Sequence, residues 1–144
     1  MPSCYLLAVT VGSSLDQQSN NITLFNLVEQ VNVPPGAPRP PRGLLPLEVH
    51  AYFRLAPIEV NQPFEVRYAL VARTGLETYS EIFSYKSVTA RYRTRTFGVP
   101  FPPVSDQYDL YVDWRRSPRD EWHRDRPSWP LTIAEHSPTP TITH

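Results

Sequence analysis

Apolar residues along this chain recur at every second position far more often than at every third or fourth, and that spacing predicts strands. The clearest case is Leu47 to Leu55. Leu47, Val49, Ala51, Phe53 and Leu55 share one face, while Glu48, His50, Tyr52 and Arg54 share the other. The first face enters a core and the second meets water. Phe64 to Ala72 repeats the arrangement, with Phe64, Val66, Tyr68, Leu70 and Ala72 together and Glu65 and Arg67 outside. Tyr108 to Trp114 sets Leu110, Val112 and Trp114 against Asp109, Tyr111 and Asp113. Further strands are predicted over Tyr5 to Val11, Ile22 to Val33, Thr78 to Tyr85, Val88 to Phe97 and Trp129 to Ile133. No window long enough for a helix keeps an amphipathic 3.6-residue stripe.

The interruptions between these runs have their own chemistry. Gly12 to Asn21 is rich in Ser, Asn and Gln, whose side chains bond nearby backbone and favour a turn, so the first two strands are expected to pair antiparallel. Arg73-Thr74-Gly75-Leu76 reads as a hairpin turn in which Gly75 takes a positive φ. Pro34 to Gly43 lacks the donors and torsional freedom that a helix or central strand needs, and is expected to be an extended, mobile loop. Ser117 to Pro127 is a charged insertion, where Trp114 and Trp122 are expected to anchor the loop to the body with Arg stacked on them. The tail, residues 136–144, has little to bury and is expected to be disordered. Strands this short and this regularly punctuated predict an all-β fold. The expected form is an immunoglobulin-like antiparallel β-sandwich of about eight strands over residues 1–135, with a partly closed barrel as the alternative.

Composition narrows the function classes. The chain has 144 residues and a single cysteine, Cys4, which excludes a disulfide framework and with it an antibody-type core bridge. Fourteen basic residues balance fourteen acidic ones, which argues against general coating of nucleic acid. All the basic residues except Lys86 are Arg, for which a GC-rich genome is the preferred reading and a need for bidentate donors the alternative. No basic residue precedes the apolar run from Tyr5 to Val11, and no stretch approaches the ~18 apolar residues of a membrane span, so the expected location is the cytoplasm. The Asn21-Ile22-Thr23 glycosylation triplet therefore carries no weight.

Enzymatic chemistry finds little footing. His50 is the most serviceable base, yet no Gly-x-Ser-x-Gly elbow or other positioned nucleophile accompanies it, and an exposed strand histidine needs no special role. Cys4 lies in an apolar terminal strand, where a buried and inert thiol is expected. His50, His123, His136 and His144 do not fall at zinc-ligand spacings, and Asp106, Asp109 and Asp113 read as a solvated acidic face rather than a calcium loop. No metal and no cofactor are expected.

The sharpest local feature is Arg91-Tyr92-Arg93-Thr94-Arg95-Thr96, which aligns three guanidiniums on one strand face within a segment, Ile82 to Ser105, that has no acidic residue. Two readings compete. Cross-strand pairing with Asp109 and Asp113 is preferred, and the alternative is recognition of an anionic ligand or nucleic acid through the Arg stripe. Tyr92 points away from the stripe, so a stacking aromatic is missing there. His50 and Tyr52 form a second candidate patch.

The opening apolar strand, the polar turn and Asn21-Ile22-Thr23-Leu24-Phe25-Asn26-Leu27-Val28-Glu29-Gln30-Val31 resemble small uncharacterised bacterial β-sandwich proteins. The resemblance continues through Leu47 to Leu55 and Phe64 to Ala72 toward Tyr108 to Trp114, while the Pro loop and the charged insertion depart from it. It implies a fold and transfers no functional residue. The expected function is a non-enzymatic protein-interaction or structural domain, acting on a protein partner or its own copy through a sheet face, an edge strand or the long loops.

Overall fold

A computed structural model describes residues 2–36, 38 and 43–135. Its strands are β1 (Ser3–Leu15), β2 (Ile22–Leu27), β3 (Gln30–Val33), β4 (Leu44–Arg54), β5 (Phe64–Ala72), β6 (Glu77–Tyr79), β7 (Phe83–Tyr85), β8 (Arg91–Pro100), β9 (Asp106–Arg115) and β10 (His123–Glu135). They form two packed sheets, one ordered β2-β1-β4-β8 and the other β3-β10-β9-β5-β6, with β7 also on β5. The protein is thus a β-sandwich. The expectations for Ala37 and residues 39–42 of the Pro loop, and for the tail at 136–144, lie outside the described residues. No helix among the described residues is long and apolar enough to cross a membrane.

The alternating pattern packs as it reads. Val49, Ala51 and Phe53 of β4 face Val66, Tyr68 and Leu70 of β5, Leu110 and Val112 of β9, and Leu131 and Ile133 of β10 in one cluster, all 1% exposed or less. Each large apolar side chain so buried contributes roughly 1.5–3 kcal/mol. The one polar group deep among them is satisfied: Tyr68 Oη lies 3.3 Å from Thr94 Oγ1, which donates to Ala51 O at 2.9 Å.

Among the described residues there are ten strands where about eight were expected, because two predicted runs each divide. Ile22 to Val33 carries apolar residues of both parities, and the chain uses that by changing sheets. Asn26 turns it with φ 51°, Val28 N still donates to Val9 O at 2.9 Å, and β3 then joins the opposite sheet. There β3 lies parallel to β10, so the sandwich is not wholly antiparallel. The second division falls at Ser80, whose hydroxyl accepts from Tyr68 N of β5 at 2.8 Å and donates to Glu81 O at 2.7 Å, standing in for a ladder bond to β5 where β6 ends and before β7 begins. The Ala72–Leu76 turn closes as predicted, with Gly75 at φ 93° and its N–H on Ala72 O at 2.9 Å.

The charged insertion folds onto the outer face of the larger sheet. Trp122 lies between the guanidiniums of Arg67 and Arg115, at 4.5 and 4.2 Å from its ring. Asp113 beneath it accepts from Arg67 Nε at 3.0 Å and from Arg124 Nε at 2.8 Å. Trp114 faces the core instead and stacks on His123 at 4.9 Å. Cys4 is buried, and its desolvated thiol is pushed up to about 11.

Candidate binding face of the four-stranded sheet

Strand register decides which candidate residues meet. In the β4–β8 ladder His50 lies opposite Arg95, Tyr52 opposite Arg93 and Arg54 opposite Arg91. Directly paired residues share a sheet face. All five residues singled out in the sequence, His50, Tyr52, Arg91, Arg93 and Arg95, therefore occupy one outer surface. Some forty positions of chain separate the two groups, so only the pairing brings them together.

The expected partners of the Arg stripe are not its neighbours. Asp109 and Asp113 sit on β9 in the other sheet, where Asp113 is committed to Arg67 and Arg124. The stripe finds different contacts. Arg95 Nε lies 3.1 Å from Glu48 Oε1, although the Arg95 side chain stays 63% exposed. Arg93 Nη1 donates to Asn20 O at 2.9 Å. A pair as open as Arg95–Glu48 contributes about 1 kcal/mol at most, so these contacts orient the guanidiniums without consuming them. Among the described residues β8 pairs with β4 alone, which leaves its other edge open.

A second correction concerns His50. Polar parity marked it as exposed, yet it is 1% exposed. The cause is the β1–β2 hairpin. After Thr10, β1 leaves β4 and continues with β2 to a turn at residues 16–21, in which the Asp16 carboxylate caps Gln18 N and Ser19 Oγ at 3.0 Å each. The tip reaches Arg93 two strands away, so this arm covers part of the outer face.

Under the arm a small polar cluster results. Ser13 Oγ donates to Glu48 Oε1 at 3.4 Å, and His50 Nε2 lies 3.6 Å from Glu48 Oε2. Those two atoms and the buried Thr10 Oγ1 have no hydrogen-bond partner among the described residues. Burial holds the imidazole below its ordinary pKa, more strongly than the nearby Glu48 raises it, so His50 is neutral at pH 7. Ser13 bonds the carboxylate rather than the imidazole. The nucleophile-to-base hydrogen bond that acyl-transfer chemistry uses is not formed here.

Two clefts flank the Arg93–Asn20 contact. The first, about 350 Å³, has the arm residues Ser13, Ser14, Leu15 and Ile22 on one side. His50, Tyr52, Arg93 and Arg95 form its floor. The second, about 510 Å³, lies among Tyr5, Asn20, Asn21, Tyr52, Arg91 and Arg93. Tyr92 faces the core as expected and meets Phe64 edge-on at 6.2 Å. Adjacent strands nevertheless supply aromatic rings to the stripe. Tyr52 and Tyr5 meet edge-on at 6.1 Å, with Arg93 over Tyr52 at 5.9 Å and Arg54 over Tyr5 at 5.4 Å.

Sequence reasoning missed Glu48, Ser13, Asn20 and Tyr5 as members of this surface. Glu48 had a signal, being two positions before His50 on the same face. Asn20 and Tyr5 had none, because their placement depends on the arm and on β1 lying beside β4. No known protein family matches the chain, and no curated protein is similar to it in sequence.

Proposed function

We propose that the protein is a non-catalytic, immunoglobulin-like binding module that captures an acidic, extended segment of a partner protein along β8. The immunoglobulin-like plan is supported by strand placement. The order β4-β8 in one sheet and β10-β9-β5 in the other is the order that strands B-E and G-F-C would have in that plan, and it supports the reading. Tyr108 adds to this: it lies near the start of β9 and its hydroxyl donates to Val104 O, four residues upstream, at 2.5 Å, like the tyrosine corner of such sandwiches. Leu110 stands where the second core cysteine would be, and β1 between β2 and β4 has no counterpart in that plan.

The observation that carries the functional reading is the open edge of β8 with Arg91, Arg93 and Arg95 at alternate positions. Alternate strand residues are about 6.8 Å apart, which matches Asp or Glu at every second position of an added strand. Backbone bonds would then supply affinity and the guanidiniums would set register. The same stripe disfavours self-pairing, since an antiparallel β8–β8 contact centred on Arg93 puts Arg against Arg.

The test is titration with a labelled peptide carrying Glu at alternate positions, against a peptide of equal composition with its Glu residues contiguous. The alternating peptide binds more tightly, its affinity falls with salt, and each Arg→Ala change weakens it about two- to fivefold, as expected for exposed ion pairs. Equal affinity for both peptides, or undiminished binding by the triple Arg→Ala variant, refutes the reading. A second reading, single-stranded nucleic acid, draws on the Tyr5–Tyr52 pair beside the Arg residues. It requires that an oligothymidylate bind the protein and that Tyr52→Ala weaken it about tenfold or more, the scale of one lost base stack.

A further inference from the structure

The smaller cleft, beneath the hairpin arm, has features that an edge-binding strand does not use. We propose that it is a separate site for a small organic monocarboxylate with a ring-sized body and a hydrogen-bonding group at the far end.

Charge and size both restrict the ligand. Around the cleft Arg93 and Arg95 contribute two positive charges, Glu48 one negative charge and neutral His50 none, so the local net is +1. A single carboxylate balances that, whereas a phosphate dianion would leave an excess beside Glu48. Arg93 spends one N–H on Asn20 O and Arg95 spends Nε on Glu48. Each guanidinium carries five N–H groups in a planar fork, so enough remain for bidentate capture of a carboxylate. The volume of about 350 Å³ lies at the small end of ligand pockets.

The remainder of the cleft describes the body of the ligand. Leu15 and Ile22 give it an apolar wall and Tyr52 an aromatic one, while Ser14 offers a hydroxyl. His50 lines the cleft but is 1% exposed, and its Nε2 lies 3.6 Å from Glu48 Oε2. The hydroxyl that the lining offers to the far end of the ligand is that of Ser14. The cleft shares Arg93 and Arg95 with the acidic-strand reading, but Leu15 and Ile22 line it and Arg91 does not.

The test is an NMR titration that follows the Arg Nε–H and His ring signals of the full chain with three probes: 4-hydroxybenzoate, its neutral amide 4-hydroxybenzamide, and phenyl phosphate. Saturable shifts at His50, Arg93 and Arg95 are expected with 4-hydroxybenzoate, at least about tenfold weaker with the amide and weaker also with phenyl phosphate. Ile22→Trp, which fills the cleft from its rim, and Arg93→Met each reduce affinity about tenfold or more, while Arg91→Ala stays within about twofold. If Ile22→Trp does not fold, Ser14→Leu serves as the blocking variant. The proposal is overturned if no shift saturates by about 10 mM, if the amide binds as well as the acid, if phenyl phosphate binds more tightly, or if the blocking variant binds undiminished. Those outcomes leave the peptide titration unaffected, so the two proposals fail separately.

Discussion

Replacing Asp113 by Ala removes a buried carboxylate that two arginines engage. Its side chain is 2% exposed and accepts three charge-assisted hydrogen bonds, from Arg67 Nε at 3.0 Å and from Arg124 Nε and Nη2 at 2.8 and 3.1 Å. These bonds are also the main reason that the Arg124 guanidinium is held protonated more firmly than usual. Breaking a buried ion pair costs about 3–5 kcal/mol. The lower end applies here, because Arg124 keeps Glu77 at 2.6 Å and Arg67 keeps its stacking on Tyr79 and Trp122. A loss of about 3 kcal/mol is expected, or roughly 10 °C in Tm for a chain of this length. Urea unfolding measures it, with exposed Asp109→Ala as a control that stays within about 0.5 kcal/mol. The double variant with Arg124→Ala should show a coupling of about 1–2 kcal/mol. A loss below about 1 kcal/mol would refute the reasoning. So would disappearance of the effect in about 1 M salt, where surface charges are screened within ~3 Å and a buried network is not.

Three other outcomes follow from groups described above. Tyr108→Phe deletes the bond to Val104 O and should cost about 1 kcal/mol in chemical denaturation with no change in the β-rich circular-dichroism spectrum. His50 resists protonation in the fold, chiefly through burial, so between pH 7.5 and 5.5 the unfolded chain binds the extra proton. Stability therefore falls as pH drops through the ordinary histidine value of about 6.5, and His50→Gln should flatten that limb; an unchanged limb places its origin elsewhere. Cys4, with its thiol pushed up to about 11, should alkylate at least about a hundredfold more slowly than free cysteine at pH 8, and become reactive only on unfolding.

Alternation along the chain was enough to determine which residues enter the sandwich. Val49, Phe53, Val66, Leu70, Leu110 and Ile133 are all in the core where parity put them, because a pleated strand sends successive side chains to opposite faces whatever its neighbours are. The same local rule placed Arg91, Arg93 and Arg95 on one face and Tyr92 on the other.

Parity does not say which strand lies alongside, and there the tertiary structure decided. β8 lies beside β4 rather than β9, so Glu48 and Tyr52 meet the Arg stripe while Asp113 turns to Arg67 and Arg124. A polar parity says only that a side chain points away from the space between the sheets. It is silent about a hairpin folding back over the outer surface, which is how His50 and Glu48 came to be buried. Sheet membership, register and the path of that arm are set by contacts between residues far apart in the chain. No repeating pattern of nearby side chains encodes them, so they emerge only when the whole chain packs.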